Sequence, residues 1–408
     1  MINNGCIDVI ESAVSGLSGM EAVDTAKILE YIWKWKFNND AEALDKASWY
    51  LNHLKDHLKG EKYYGECLNN SAKLNFINPS ANLISWHHPL KFVELVARVC
   101  YKSESKITED SSIKLVNNLI QSGHYAMLEH CIFSFAVSKG IYTDLINSQC
   151  AKYMFFTNIH TCIVSVNLRT LIENAHCPAL LYLLKCVLIN FPEFEKLCGE
   201  AIKQAKSITL YTLKCHSIRL INPSLLSEEE RAVHKFYSIK FVTDRGVSHE
   251  IVRHRNSFAQ ESTRYVNYMK KGLTFIRPTD FDNWNDEAKN TYTKSLIIAE
   301  QGYLNMIKNG CKPQEARSLL PTSIKTEVVM TCNIERWKHF FNLRLIGTTG
   351  CPHPDMKKVA LEALEQLQFD TAFNAQYKLY KDTEISKLCT STNSIGGDKN
   401  ETAYTITN

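Results

Sequence analysis

The sequence lacks any apolar run long enough to cross a bilayer, which takes about 20 consecutive apolar residues. Its longest apolar stretch, residues 179–189, is interrupted by Lys185. We interpret this stretch as a buried helix and expect no membrane partner. The first residues also lack a basic segment followed by an apolar core, so no secretory signal is recognised and a cytoplasmic protein is expected.

Closely spaced cysteine pairs are missing as well. The 14 cysteines are scattered from Cys6 to Cys389 of the 408 residues, and no two have Cys-x-x-Cys spacing. Disulfide frameworks are typical of small secreted chains, whereas thiols in a cytosol stay reduced. The sequence therefore predicts free thiols.

The chain also has little net charge, because 47 basic residues against 43 acidic ones leave +4. This balance gives no indication of nucleic-acid binding, so any anion site must come from a local cluster of cations. The apolar fraction of 45% is that of a soluble globular protein.

One dense polar run is present, at residues 253–265, in which only Phe258 and Ala259 lack polar side chains. Its arginines carry planar guanidinium groups that match the geometry of phosphates and carboxylates. A strand is predicted at residues 237–242, and Gly246 breaks the pattern before the arginines. An ordered element that leads into a polar segment is typical of a binding site, although a solvated loop with a few ion pairs has a similar composition.

Three further blocks accompany this run. Residues 123–130 read Gly-His-Tyr-Ala-Met-Leu-Glu-His, and residues 316–321 read Ala-Arg-Ser-Leu-Leu-Pro. Residues 333–344 contain an asparagine, a histidine and an arginine in register. With Arg-His-Arg at 253–255 and Ser-Thr-Arg-Tyr at 262–265, these blocks resemble, in order, the motifs of the flavin-dependent thymidylate synthases. The resemblance implies an α+β fold of that family.

The chain departs from the family pattern at two places. Six residues separate Arg255 from Ser262, where the family has seven. The family also has an arginine two places after the asparagine, where this chain has Glu335 followed by Arg336. The first departure bears on the geometry of the flavin side. In the second, either the pair is locally swapped or one flavin contact is altered.

The resemblance implies conversion of dUMP to dTMP, with methylenetetrahydrofolate as carbon donor and FAD, reduced by NADPH, as hydride carrier. These ligands are anions, which a chain near neutrality must bind through local arginines. Arg344 is the implied catalytic residue and would lie on the uracil ring. The residues implied to bind the nucleotide are Glu250, Arg253, Gln260, Glu261, Ser262, Thr263, Arg264, Arg317 and Arg344. The residues implied to bind FAD are His124, Glu129, Arg253, His254, Arg255, Asn333 and His339.

The resemblance further implies a homotetramer with active sites between subunits, in a bacterial or phage-infected host cytosol and without a nucleic-acid partner. An alternative function is a catalytically degenerate flavin- or nucleotide-binding protein of regulatory role, which the short spacer and Glu335 motivate. Ser262 is interpreted as a substrate contact rather than a nucleophile, since a serine nucleophile needs a base and an orienting group. The histidine pairs at 53/57 and 87/88 lack a third ligand, so no metal site is predicted.

The sequence predicts four segments. Residues 1–60 form a small all-α domain that resembles a phage domain of unknown function, and residues 61–72 form a linker. The synthase-like domain spans residues 73–382, with strands at 74–77 and 131–137 and helices at 89–101 and 112–122. Its residues 140–235 are longer than the family leads us to expect and rich in predicted helix. Residues 383–408 predict a disordered tail.

Overall fold

The computed structural model describes residues 74–84, 88–270 and 272–393. The predicted N-terminal domain and linker lie outside the described residues. Residues 75–289 and 302–393 group into one unit, and Leu74 with residues 290–301 belongs to a second. Helices and strands both contribute to the fold, which confirms the α+β class.

The strands are short except for two of nine residues. In chain order they are β1 (Asn75–Ile77), β2 (Ser80–Leu83), β3 (Ile132–Ala136), β4 (Met154–Phe156), β5 (Ile163–Asn167), β6 (Arg219–Leu220), β7 (Phe236–Asp244), β8 (Ser257–Gln260), β9 (Thr274–Ile276) and β10 (Lys325–Asn333).

The helices follow the same numbering. They are α1 (Pro89–Tyr101), α2 (Ser111–Gln121), α3 (Lys139–Ile146), α4 (Leu168–Glu173), α5 (Pro178–Asn190), α6 (Glu200–Ser207), α7 (Leu210–Cys215), α8 (Glu228–His234), α9 (Arg245–Ile251), α10 (Asp286–Lys308), α11 (Pro313–Ala316), α12 (Ile334–Phe341), α13 (Pro354–Gln366) and α14 (Asn374–Asn393).

The first sheet has the order β2-β7-β10-β8 and is antiparallel throughout. Its longest strands, β7 and β10, pair along their whole length, from Asp244 opposite Lys325 to Phe236 opposite Asn333. β7 is rich in aromatic and β-branched residues, which fit a pleated, half-buried surface. The strand predicted at 237–242 is therefore confirmed. A separate parallel pair joins β1 and β9.

The second sheet, in the order β4-β5-β3-β6, falls within residues 132–220. Helices α3 to α7 occur in the same part of the chain, and strands and helices share one buried apolar cluster that includes Leu180, Leu184 and Phe194. The helix-rich character predicted for residues 140–235 is confirmed, as is the buried helix predicted at 179–189, which is α5.

The helix α12 is fixed to the first sheet by aromatic packing. Trp337, Phe340 and Phe341 are fully buried, and the indole Nε1 of Trp337 donates to the backbone oxygen of Tyr237 at 3.2 Å. The apolar face of α13 joins the same cluster. Burial of aromatic side chains of this size is the main source of packing energy here. The packing sets the position of the turn that follows α12.

Several predicted bounds match the structure to within one residue, among them the helix at 89–101 and the strands at 74–77 and 131–137. The predicted tail is wrong for residues 383–393, because α14 continues to Asn393. Glu384 to Leu388 contains good helix formers and no Pro or Gly, so a helix already formed extends through it at little cost. Residues 394–408 lie outside the described residues.

Candidate active site

The dense polar run is presented by a sharp change of backbone direction between α9 and β8. The Asp244 side chain accepts from the amide of Val247 and so caps α9. A 3-10 turn, Val252–His254, then leads to Arg255, which has a left-handed φ of 53°. That conformation is uncommon for a residue other than glycine and often marks a functional turn. β8 continues the chain along the edge of the first sheet.

Arg344 lies at the centre of this region, in a single π-helical turn, Asn342–Ile346, that follows α12. Its Nη1 donates to Oε2 of Glu250 at 2.9 Å and its Nη2 to the Glu250 backbone oxygen at 3.2 Å. Its Nε donates to Nε2 of His254 at 3.0 Å. π-helical turns within α-helices frequently occur at functional sites. The structure thus brings together residues from two separate sequence blocks.

The imidazole of His254 is neutral in this arrangement. Burial, with the nearby cation of Arg344 and with His339, lowers the pKa of His254 to about 4. A guanidinium can only donate, so Nε2 of His254 accepts and the proton lies on Nδ1. The His339 ring is 6.1 Å away, centroid to centroid, and its side chain is exposed. A neutral imidazole leaves the positive charge of the site on arginine.

The two departures from the family pattern meet in space. Nη1 of Arg336 donates to Oδ1 of Asn256 at 3.2 Å and reaches the backbone oxygen of Arg255 at 3.4 Å. Its guanidinium also lies over the Phe155 ring, 5.1 Å from the centroid. Arg336, which follows Glu335 in sequence, therefore holds the start of the shortened spacer between Arg255 and Ser262.

A cavity of about 210 Å³ opens beside this contact. Three cationic side chains line it, those of Lys152, Arg255 and Arg336, with the carboxylate of Glu129. Its other walls include aromatic rings, Tyr153, Phe155 and Phe236. Glu129 also pairs with Arg169 at 2.6 Å. Cations next to aromatic faces suit an anionic ligand that carries a ring system.

The remaining arginines of the polar blocks face solvent. Arg253, Arg264 and Arg317 are exposed, and Nε of Arg264 donates to Gln314 at 3.3 Å. Ser262 is held by its backbone amide, which donates to the Cys100 oxygen at 2.9 Å. The Ser262 hydroxyl accepts from the Arg264 amide, and no histidine of the described residues hydrogen-bonds it. This arrangement favours Ser262 as a contact rather than as a nucleophile.

Three predicted contacts are placed inside the protein instead. Glu261 is 3% exposed and is held by Nζ of Lys325 at 2.9 Å and by the Tyr268 hydroxyl at 3.0 Å. Asn333 is buried, caps α12 through the amide of Arg336, and donates to the Val233 oxygen. Thr263 is also buried. The Glu261 oxygens and the Asn333 amide already have protein partners, which differs from the direct ligand contacts expected for them.

Other predicted residues have intermediate positions. Gln260 donates to the Ser248 hydroxyl at 2.7 Å, and His124 is exposed just before the turn that carries Glu129. Among the described residues, no group of three or more His, Cys, Asp or Glu side chains is arranged to hold a metal ion. His88 pairs with Glu193 at 2.8 Å, while the other histidines of the two suspected pairs lie outside the described residues.

Sequence reasoning missed Asn256, Arg336 and Phe155 as parts of the site. The only available signal was that the first two stand where the family pattern is broken. Phe155 has no such signal, because it comes from β4 in the expanded segment. In the part of the chain that the structure describes, no helix is long and apolar enough to cross a membrane.

The family model for the thymidylate synthase complementing protein matches residues 82–154 and 193–369. The chain belongs to this family. The match is interrupted at 155–192, inside the expanded segment.

The curated relatives that the chain matches are named flavin-dependent thymidylate synthases and come from archaea and bacteria. That of Pyrococcus abyssi is 29% identical over 158 residues, 38% of this chain and 62% of the relative. That of Pyrococcus furiosus is 30% identical over 126 residues, 30% of this chain and 50% of the relative. This chain therefore spans only about half to three-fifths of the length of these relatives.

Among solved structures, the UMP/dUMP methylase PolB from Streptomyces cacaoi bound with 5-Br dUMP is 14% identical, with a TM-score of 0.34. The alignment covers 75% of this chain and 97% of that one.

Proposed function

We propose that this chain is a flavin-dependent thymidylate synthase that converts dUMP to dTMP, with methylenetetrahydrofolate as carbon donor and NADPH as reductant. The observation that carries the proposal is the arrangement of Arg344 between Glu250 and His254. Membership of the family supports it, as do the names of the curated relatives.

Arg344 has the donors that a uracil ring requires. A guanidinium carries five N–H groups, and three of those of Arg344 are used by Glu250 and His254 within the described residues. Two remain to donate to a carbonyl oxygen of the ring. A fixed cation at that oxygen stabilises the negative charge that develops on the pyrimidine as C5 attacks, and such preorganised donors are usually the largest catalytic contribution. The Glu250 carboxylate holds the cation in one orientation.

The cavity beside Arg336 fits part of FAD. Its three cations suit the pyrophosphate, and its aromatic walls suit a ring system. We propose that Arg255, Arg336 and Lys152 hold the cofactor with Glu129, and that His124, Arg253, His254 and His339 border it. When bound, the flavin supplies the hydride.

The sites are proposed to lie between subunits of a homotetramer. A cavity of about 210 Å³ is too small for a whole dinucleotide, since pockets that bury drug-sized ligands span about 300–1,000 Å³. Arg253, Arg264 and Arg317 face outward, where a second copy would bring them to a shared ligand. Glu261 and Asn333 would not contact the ligand. From the protein interior they would hold the backbone of the polar run and the start of α12 in position.

The test is dTMP formation from dUMP, methylenetetrahydrofolate, NADPH and FAD, with the wild type, Arg344→Ala and Arg219→Ala. Arg219 is an exposed arginine of β6 and serves as the matched control. Removal of Arg344 is expected to lower kcat by about 100-fold or more, because it removes donors from the developing charge. Flavin absorbance should stay with the protein, and Arg219→Ala should behave as the wild type.

Two outcomes contradict the proposal. Flavin bound to a wild type that makes no dTMP would favour the degenerate binding protein. Failure of the wild type to bind added FAD would rule out the proposed flavin-dependent activity.

A further inference from the structure

A second cavity, of about 580 Å³, is lined by residues of both sheets and by none of Arg344, Glu250 and His254. The first sheet contributes Ser238 and Thr331, and the second contributes Phe133 and Ser134. The loop before α8 supplies Asn222 and Ser224, which are exposed and form its rim. Its volume is in the range of pockets that bury a small organic ligand.

Two fully buried histidines line this cavity, and the proposed reaction uses neither. Nδ1 of His130 lies 2.7 Å from the Thr331 hydroxyl, which is in turn 2.6 Å from the Ser238 hydroxyl. Nδ1 of His234 lies 2.7 Å from the Ser165 hydroxyl, which is 2.6 Å from that of Ser134. Hydroxyl pairs of this kind fix the plane of each imidazole.

His234 has a buried polar atom without a partner. The residue is 0% exposed, and its Nε2 makes no hydrogen bond to any described residue. Either tautomer leaves Nε2 with one unused hydrogen bond, as donor or as acceptor. A buried polar group left unsatisfied is costly, so most such groups have a partner in the protein, in water or in a ligand.

The described residues that line the cavity offer no free charge. Burial lowers the pKa values of His130 and His234 to about 4 each, so both rings are neutral at pH 7. Lys235 is the charged side chain among the described lining residues, and its Nζ is 3.1 Å from Oδ2 of Asp370. A phosphate or carboxylate would find no unpaired cation there. The rings of Phe133, Phe191 and Phe236 offer flat apolar walls instead.

We infer that this cavity, defined by His130 and His234 between the two sheets, is a binding site for a neutral heteroaromatic molecule of nucleoside size. The ring would lie against the phenylalanines, and its polar edge would take the open hydrogen bond of His234. The site is separate from the flavin cavity, although Ile132, Phe236 and Thr331 form a wall common to both.

The site depends on the expanded part of the chain. Phe191, Asn222, Ser224 and His234 all belong to residues 140–235, although only Phe191 falls in the interruption of the family match at 155–192. Apart from the wall common to both cavities, none of the residues that line this one has a role in the proposed reaction, so the inference can be tested separately from it.

Saturation-transfer NMR on the full chain tests this inference, with thymidine, deoxyuridine and adenosine as probes. At least one nucleoside should receive saturation from the wild type. Ser224→Trp fills the rim without touching the buried network, and His234→Phe removes the open hydrogen bond. His234→Phe is expected to weaken binding about tenfold, which is the effect of one lost buried hydrogen bond. Ser224→Trp is expected to weaken binding about as much or more, because the indole blocks the entrance. Ser207→Trp, at the exposed end of α6, is the matched control and should bind as the wild type.

No saturation transfer to any of the three probes would overturn the inference. Binding that survives unchanged in Ser224→Trp would do the same. So would binding that is lost in Arg317→Ala, because the probe would then lie in the arginine site.

Discussion

At the scale of single residues, the contact between Arg336 and Asn256 joins the two places where the sequence departs from the family pattern. A guanidinium that donates to a side-chain oxygen and stacks on Phe155 is held from two directions. Such a group is preorganised for an anion, because little side-chain freedom remains to be lost on binding. We therefore expect Arg336 to take the role of the arginine that the family has at position 335.

We predict that Asn256→Ala and Arg336→Ala are energetically coupled in FAD binding. Each alone weakens binding, but the double variant loses less than the sum by about 0.5–1.5 kcal/mol, because both single changes break the same hydrogen bond. Titration of FAD by flavin fluorescence, with the wild type, both single variants and the double variant, gives the coupling free energy of this double-mutant cycle. Arg336→Ala combined with the remote Arg219→Ala should be additive, and full additivity of the first pair would contradict the coupling.

The resemblance implied that Arg344 and the 253–265 run serve one site, but it did not predict their contact within a single chain, because the implied site lies between subunits. It did not predict that Glu261 and Asn333 are buried. Both are polar residues inside polar blocks, and the alternation of exposed and buried positions there depends on Lys325 and Val233, which come from distant parts of the chain. The pattern of polar and apolar residues along a short segment does not predict contacts with residues so far away in the sequence.

At the scale of elements, the π-helical turn that carries Arg344 is ended by Gly347. This glycine has φ +81°, and a Cβ built on it would lie 2.7 Å from the backbone oxygen of Gly350. Both the left-handed backbone and the close approach require the absence of a side chain. The end of the turn is therefore fixed by one residue.

Gly347→Ala should destabilise the fold and reduce turnover, whereas Gly310→Ala should only destabilise it slightly. Gly310 has a similar φ of +90°, but a Cβ there meets nothing within 4 Å. Strain from the left-handed backbone costs about 1–2 kcal/mol in each, and the clash at Gly347 adds to it and displaces Arg344. Urea unfolding measures the loss of stability, and kcat for dTMP formation measures the loss of turnover. Equal behaviour of the variants would refute the role of the close contact.

Element boundaries followed from the sequence where one strong local signal was present. The helix α1 begins at Pro89, which is favoured in a first helical turn, and it ends where predicted. Of the second sheet only β3 was predicted, because β4, β5 and β6 are two to five residues long and lie among helices. Strands this short acquire their stability from neighbours rather than from their own pattern.

At the scale of the whole molecule, buried neutral histidines make stability depend on pH. His130 and His234 have pKa values of about 4 in the folded state, against 6.5 as the ordinary value. The unfolded chain therefore takes up these protons first as pH falls. Stability is full above about pH 6.5 and declines towards pH 4.

We expect the free energy of unfolding to fall by about 2.5 kcal/mol for each of these histidines between pH 6.5 and 4. His234→Gln should show a smaller fall, while replacement of the exposed His160 by Asn should leave the slope unchanged. Urea denaturation at several pH values measures the dependence of the free energy of unfolding on pH for each variant. Glu327, with a pKa lowered to about 2 by Lys102 and Lys325 despite its burial, affects stability only below about pH 4.5. An identical slope in His234→Gln and the wild type would contradict the assignment.

The contact between Arg336 and Asn256 bears on how the two residues are inherited in the family. The two positions are 80 residues apart, yet each supplies what the other lacks. An ancestor with only one of the changes would have kept Arg336 with only the 3.4 Å contact to the Arg255 oxygen, or Asn256 without the donor to its side-chain oxygen. Among relatives that share the shortened spacer, the two residues should be inherited as a pair.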